Sequence, residues 1–191
     1  MTGPILNTDS DDSVLIDEFK NGNVNAFNIL VRKYQKRIYW VIRKIVIDHD
    51  DANDLTQEVF IKLHSSINEF RGDSKFFTYI YRIAVNYSIN HINKNKKINS
   101  RKADLEIEGF KIASTDKISD EKFDDKINTK YLEQAISTLP EQQRVVFNLR
   151  FYENLNYEEI ASITKKSVGG MKANYFHAVK KIQEFIKKKN L

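Results

Sequence analysis

Cysteine is absent from the 191-residue chain, which excludes a disulfide framework, thiolate metal sites and cysteine nucleophiles together. Proline occurs twice and glycine six times. That is too few for the many tight turns of a β-sandwich or barrel, so a mainly helical protein is expected. Long hydrophobic runs are missing as well. The longest, Ile38–Ile42, falls far short of the roughly 20 residues that span a bilayer. The first residues carry Asp9, Asp11 and Asp12 in place of a basic patch and an apolar stretch, so no secretory signal is expected. The expectation is a soluble, cytoplasmic protein.

What is present is charge, unevenly placed. Residues 1–65 carry a net charge of −2, residues 66–102 +6, residues 103–129 −4 and residues 130–191 +5. Two basic blocks around an acidic one suggest two polyanion-facing modules and a connector that avoids polyanions.

Hydrophobic periodicity divides the chain in the same way. Residues 1–12 read as a flexible tail. A short helix from Ser13 to Asn21 ends at Gly22, a residue suited to a left-handed cap. Phe27, Leu30, Val31, Tyr34, Ile38, Ile42 and Ile45 recur at steps of three and four, giving a long helix with one apolar face. Asp50 or Asp51 caps a third helix bearing Leu55, Val59, Leu63 and Ile67. Phe70–Asp73 reads as a tight loop, and Ser74 caps a fourth helix that ends in the run Asn93–Lys97. These helices make one module over residues 13–97. From 98 to 129 the pattern decays into an acidic flexible linker. Periodicity resumes at Tyr131. Pro140 stands in the first turn of a further helix, Asn156 opens a capping-box-like Asn-Tyr-Glu-Glu, and Ser167 caps a final helix. The expected fold is all-α: two small helical domains, 13–97 and 130–191, joined by a flexible linker, the C-terminal one with a helix-turn-helix.

That last assignment rests on a short helix, a three-residue turn and a longer basic helix. The outward positions near the start of the second helix are Lys172, Asn174, Phe176 and His177, then Lys180 and Lys181. Lysine bonds guanine acceptors, asparagine bonds adenine bidentately, and the later lysines suit phosphates. An ordinary helical hairpin with a solvated basic face fits the same segment. Between Phe70 and Lys97, aromatic rings alternate with Arg71, Lys75, Arg82, Asn86 and Asn90, groups able to stack on unpaired bases while holding a backbone. Core packing accounts for most of those rings and leaves Phe70 over. Asp50-Asp51-Ala52-Asn53-Asp54 has the spacing of an aspartate-rich magnesium and diphosphate site. Helix capping and a docking face for a partner helix are its other readings. A second metal motif is lacking, the histidines are scattered, and no serine, histidine and acid arrangement stands out. No catalytic residue, metal or cofactor is expected.

Six motifs stand in order: Asn25–Val31, Asp54–Phe60, Phe70–Phe76, Tyr81–Asn86, Leu139–Arg144 and Tyr157–Ala161. Together they resemble a bacterial RNA polymerase sigma factor of the small, extracytoplasmic-function type, over roughly residues 13–97 and 130–188. The resemblance implies that Asp54, Leu55, Gln57, Glu58 and Ile61 dock on the clamp helices of the polymerase beta-prime subunit. It implies that Phe70, Arg71, Gly72, Asp73, Ser74 and Lys75, with Arg82 and Asn86, capture a flipped base of the promoter minus-ten element. Ser167 and the six outward residues of the final helix, Lys172 to Lys181, would meet the minus-thirty-five element, and the second module would also meet the polymerase beta flap. The acidic linker would thread the polymerase channel. An anti-sigma protein is a further implied partner, and the family has no catalytic chemistry of its own. Gly170, Asn174 and His177 depart from the family's usual Val-Gly-Thr-Val start and basic run. The rival readings are a free-standing helix-turn-helix regulator, dimerising on a palindrome, and a small magnesium-dependent enzyme.

Overall fold

The structure, a computed structural model, describes residues 6–103 and 131–189, and side chains within them except those of 99–103. Every regular element among these residues is helical. Residues 1–5 and most of the acidic linker expected at 98–129 lie outside the described residues. Residues 7–10, expected to belong to a flexible tail, instead form a turn in which the Ser10 amide bonds the Asn7 carbonyl at 3.2 Å, and Asp12 already opens the first helix.

Helix α1 (Asp12–Lys20) is pinned at its start, where Asp12 forms an ion pair with Lys33 at 2.9 Å and accepts a hydrogen bond from the Tyr34 hydroxyl at 2.6 Å. It closes as the sequence predicts: Gly22 adopts φ +95°, and the Asn23 amide returns to the Glu18 carbonyl. Helix α2 (Val24–Val46) follows at once. Its apolar residues at i, i+3 and i+4 put Phe27, Leu30, Tyr34, Ile38, Ile42 and Ile45 in the core. Each such side chain contributes about 1.5–3 kcal/mol by leaving water.

Only Ile47 and Asp48 join α2 to helix α3 (His49–Ser66), and Ile47 takes φ +75° to make the reversal. The sequence reading places the α3 cap at Asp50 or Asp51. The cap is Asp48, whose carboxylate accepts from the amides of Asp50 and Asp51, both at 2.9 Å. With so short a connection, the first extended residue is the one placed to cap.

After a 3-10 turn at Ile67–Glu69, helix α4 runs from Phe76 to Ala103. It starts one residue later than a Ser74 cap would give, with the Lys75 carbonyl taking the first bonds. It also continues through Asn93–Lys97 rather than stopping there. That run holds no glycine or proline, lysine is a good helix former, and His91 bonds Asn95 one turn on.

In the second module, residues 131–137 form α5, and α6 (Glu141–Phe151) follows with Pro140 as its cap residue. Helix α7 (Tyr157–Thr164) opens on a full capping box between Asn156 and Glu159. Lys165 is left-handed at φ +54°, the Lys166 amide closes on the Ala161 carbonyl, and Ser167 caps α8 (Val168–Lys188). Its hydroxyl accepts from the Gly170 amide at 3.1 Å.

The two modules do not keep separate cores. Val145, Val146, Leu149, Ile160 and Ile163 join the buried cluster of α1–α4, while Ala135, Ile136, Leu139, Phe147, Ala178 and Ile182 form a second, local cluster. A Cβ at Gly170 would stand 3.1 Å from the capping hydroxyl of Ser167, close enough that the hydroxyl would have to give by a few tenths of an ångström. Ser167→Ala should therefore cost about 1 kcal/mol and lower the thermal midpoint by about 2–4 °C, measured by circular dichroism. An unchanged midpoint would contradict the cap.

Candidate nucleic-acid and polymerase interface

Spacing alone puts Asp54, Gln57, Glu58 and Ile61 on one stripe of α3. All four are exposed, Ile61 by 70%. Leu55, grouped with them in the sequence reading, lies in the core beneath the stripe at 5% exposure. On one side a shallow apolar cleft of about 300 Å³ is lined by Phe27, Phe60, Ile61 and His64. On the other a polar groove of similar volume is lined by residues including Lys36, Tyr39, Asn53 and Gln57. The stripe thus offers an acidic ridge with one apolar step, the makings of a docking face for another helix or helix pair. The neighbouring acidic cluster is committed to structure. Asp48 caps α3, Asp51 pairs with His91 at 2.8 Å, and His49 is held by Tyr39 and Asn53. Among the described residues no cluster of three His, Asp or Glu side chains is arranged to hold a metal ion.

The loop from Phe70 to Lys75 turns at Gly72, φ +81°, a conformation that favours glycine. Arg71, Gly72, Asp73 and Lys75 are exposed and Ser74 is half-buried. Phe70, which the sequence leaves without a packing role, is half-buried against Phe76 and Tyr79, with ring centroids 5.7 and 5.1 Å away. Its carbonyl takes a 2.8 Å hydrogen bond from Lys20. The loop is therefore anchored at its base and open at its tip. Asn86 is exposed on α4, one turn beyond Arg82.

On α8 the residues Lys172, Phe176, His177, Lys180 and Lys181 share one exposed face, with Phe176 at 64%. The small residues Gly169 and Ala173 lie exposed among them and leave room for close approach, a feature not singled out in the sequence. Lys172 lies 5.9 Å from the Tyr157 ring of α7. Asn174 departs from this face: its amide donates to the Gly170 carbonyl at 2.9 Å, and it stands half-buried on the flank. Ser167 is committed to the cap of α8, where its hydroxyl accepts from the Gly170 amide.

A further set of residues has no sequence signal, because its members lie far apart in the chain. Glu153, on the turn between α6 and α7, accepts from Arg37 of α2 at 2.8 Å and from Tyr81 of α4 at 2.7 Å. Burial first, then the bond to Glu153, holds the Tyr81 phenol far above its ordinary pKa, so it stays a donor. Asn148 donates to the Lys44 carbonyl at 2.8 Å, and the Lys44 ammonium lies 3.5 Å from the centre of the Tyr152 ring. Arg82 reaches Ser162 of α7 at 3.4 Å, and Lys96 pairs with Glu141 at 2.9 Å. One candidate nucleic-acid residue, Arg82, thus faces the second module in this arrangement.

These surfaces can be set beside known proteins. Residues 30–98 match the family model for sigma-70 region 2, and residues 129–182 match that for sigma-70 region 4. The RNA polymerase sigma-H factor of Pseudomonas aeruginosa is 35% identical over 177 residues, covering 90% of this chain and 91% of that protein. The ECF RNA polymerase sigma-E factor of Haemophilus influenzae is 32% identical over 181 residues, covering 92% and 95%. Among solved structures, the sigma factor RpoE of Bartonella quintana, in complex with the anti-sigma factor NepR, aligns with a TM-score of 0.66 at 20% identity. That alignment covers 84% of this chain and 96% of the other, a likeness of fold. With both sigma-70 regions matched and relatives aligned along almost their whole length, the chain belongs to the extracytoplasmic-function sigma factors, which direct RNA polymerase to promoters.

Proposed function

We propose that this chain brings core RNA polymerase to a restricted promoter set by dividing the task among three of its surfaces. The α3 stripe of Asp54, Gln57, Glu58 and Ile61, backed by Leu55, docks on the polymerase clamp helices. The Phe70–Lys75 loop, with Arg82 and Asn86, holds the melted strand of the minus-ten element. The exposed face of α8, led by Lys172 and Phe176, reads the minus-thirty-five element in the major groove. Flipping a base costs a few kcal/mol, so a loop that receives the extruded base helps hold the strands apart. Joining both readers to one polymerase raises their effective concentration at adjacent elements, and each can then bind weakly alone.

The observation that supports this most strongly is the α8 face, where base-reading and phosphate-binding side chains lie exposed on a helix whose start is fixed by a capped turn. The chain acts in the cytoplasm with the polymerase and adds no chemistry to the core enzyme. No helix among the described residues is long and apolar enough to cross a membrane. An anti-sigma protein, like the one bound to the Bartonella quintana neighbour, is the partner that would hold it inactive.

Three variants test this division. Ile61→Glu should weaken core polymerase binding about ten-fold, read by fluorescence titration. Asn86→Ala should bind polymerase as tightly as the unaltered chain but slow promoter opening, followed by permanganate reactivity of unpaired thymines. Equal loss of both properties in Asn86→Ala would contradict the division between the two surfaces. Lys172→Ala should cost about 1–3 kcal/mol of base discrimination at one or two upstream positions. A promoter library showing unchanged base preference would remove Lys172 as a reader.

A further inference from the structure

The contact between the modules has a chemical pattern. Arg37, Lys44, Arg82 and Lys96 all belong to the first module, and each is met by a group of the second that offers negative charge or electron density. Arg37 meets the Glu153 carboxylate, Lys44 the Tyr152 ring, Arg82 the Ser162 hydroxyl and Lys96 the Glu141 carboxylate. The second module therefore lies on the first as a polyanion would.

Glu153 makes the likeness specific. A single oxygen, Oε2, accepts from both the Arg37 guanidinium at 2.8 Å and the Tyr81 hydroxyl at 2.7 Å. This is the arrangement that a phosphate oxygen finds between an arginine and a hydroxyl donor. The carboxylate is also aimed by its backbone. Asn154, next in the chain, takes φ +54°, the Leu155 amide returns to the Leu149 carbonyl, and Arg150 holds the Leu155 carbonyl at 2.9 Å. Arg82, by contrast, is poorly used. Its hydrogen bond to Ser162 is long at 3.4 Å, and its Nε is buried with no hydrogen-bond partner, although a guanidinium carries five donors.

We propose that Arg37 and Tyr81, flanked by Lys44 and Arg82, form a backbone-phosphate site for single-stranded nucleic acid, which Glu153 occupies in the closed chain in the phosphate's place. The site continues the surface carrying Asn86, one turn along α4 from Arg82, so it rests on the proposed role of the first module in holding the melted strand. Strand and second module compete for the same donors. Docking on polymerase, which separates the readers to meet two promoter elements, exposes the site when a strand is there to fill it.

The test uses the full chain and a fluorescent single-stranded DNA oligonucleotide of mixed sequence. Glu153→Gln keeps the shape but weakens the pairing, so it should bind the oligonucleotide about five-fold tighter than the unaltered chain. It should also show a steeper loss of affinity with salt. Adding Arg37→Ala to Glu153→Gln should abolish the gain. Unchanged affinity in Glu153→Gln, or a gain that survives Arg37→Ala, would overturn the site. Run-off transcription with core polymerase separates this from the function proposed above. Transcripts made by a chain whose Glu153→Gln variant fails the oligonucleotide test would overturn the phosphate site alone, whereas absence of transcripts would overturn the function.

Discussion

The apolar face of α2 is the constraint on which the rest of the molecule depends. This 23-residue helix packs against α1, α3 and α4 and carries the second module through α6. Nine of its residues, from Ala26 to Ile45, are buried, so its rotation about its own axis is fixed by burial rather than by any one polar bond. Once α2 is set, a two-residue connection leaves α3 little freedom, and its acidic stripe must point outward. Tyr34 packs against Phe76 at the start of α4, which ties the position of the Phe70–Lys75 loop to the same face. The edge of α2 bearing Arg37 and Lys44 is left for α6 and the turn beyond it.

The two modules are joined by both apolar burial and polar pairing, and the two behave differently. The shared buried cluster favours the closed arrangement without specifying any partner charge. The polar contacts are specific and partly exposed: the Arg37 side chain is 52% accessible, so its pairing is screened and modest in energy. Such contacts serve to choose between occupants of a surface more than to stabilise a fold. Under the proposed division of labour, a contact that covers the cations of the first module until both promoter elements are at hand would be an advantage.

Much of this was legible in the sequence where the physics is local. The 3.6-residue period of α2, the Asn156–Glu159 capping box, the Ser167 cap and the left-handed Gly22 each depend on residues within a turn or two of one another. So do the exposed stripes of α3 and α8. Local reasoning misplaced the α3 cap because Asp48, Asp50 and Asp51 are equally good caps until a connection length selects one. It ended α4 too early because Asn and Lys read as breakers only when nothing holds the helix behind them. Asn174, one of the outward residues expected from the sequence, stands half-buried because its amide bonds back to the Gly170 carbonyl one turn earlier. The contact made by Glu153, 116 residues from Arg37, has no local signature. Only the packing of α6 on α2 brings it to its donors.

The most direct measurement is run-off transcription with purified core RNA polymerase on a pool of genomic promoter fragments, with and without this chain. Transcripts that depend on the chain and start downstream of one shared pair of sequence elements are the expected result. Absence of both a complex with cognate core enzyme and any chain-dependent transcript would contradict a promoter-directing role, and leave a helix-turn-helix protein that acts without polymerase.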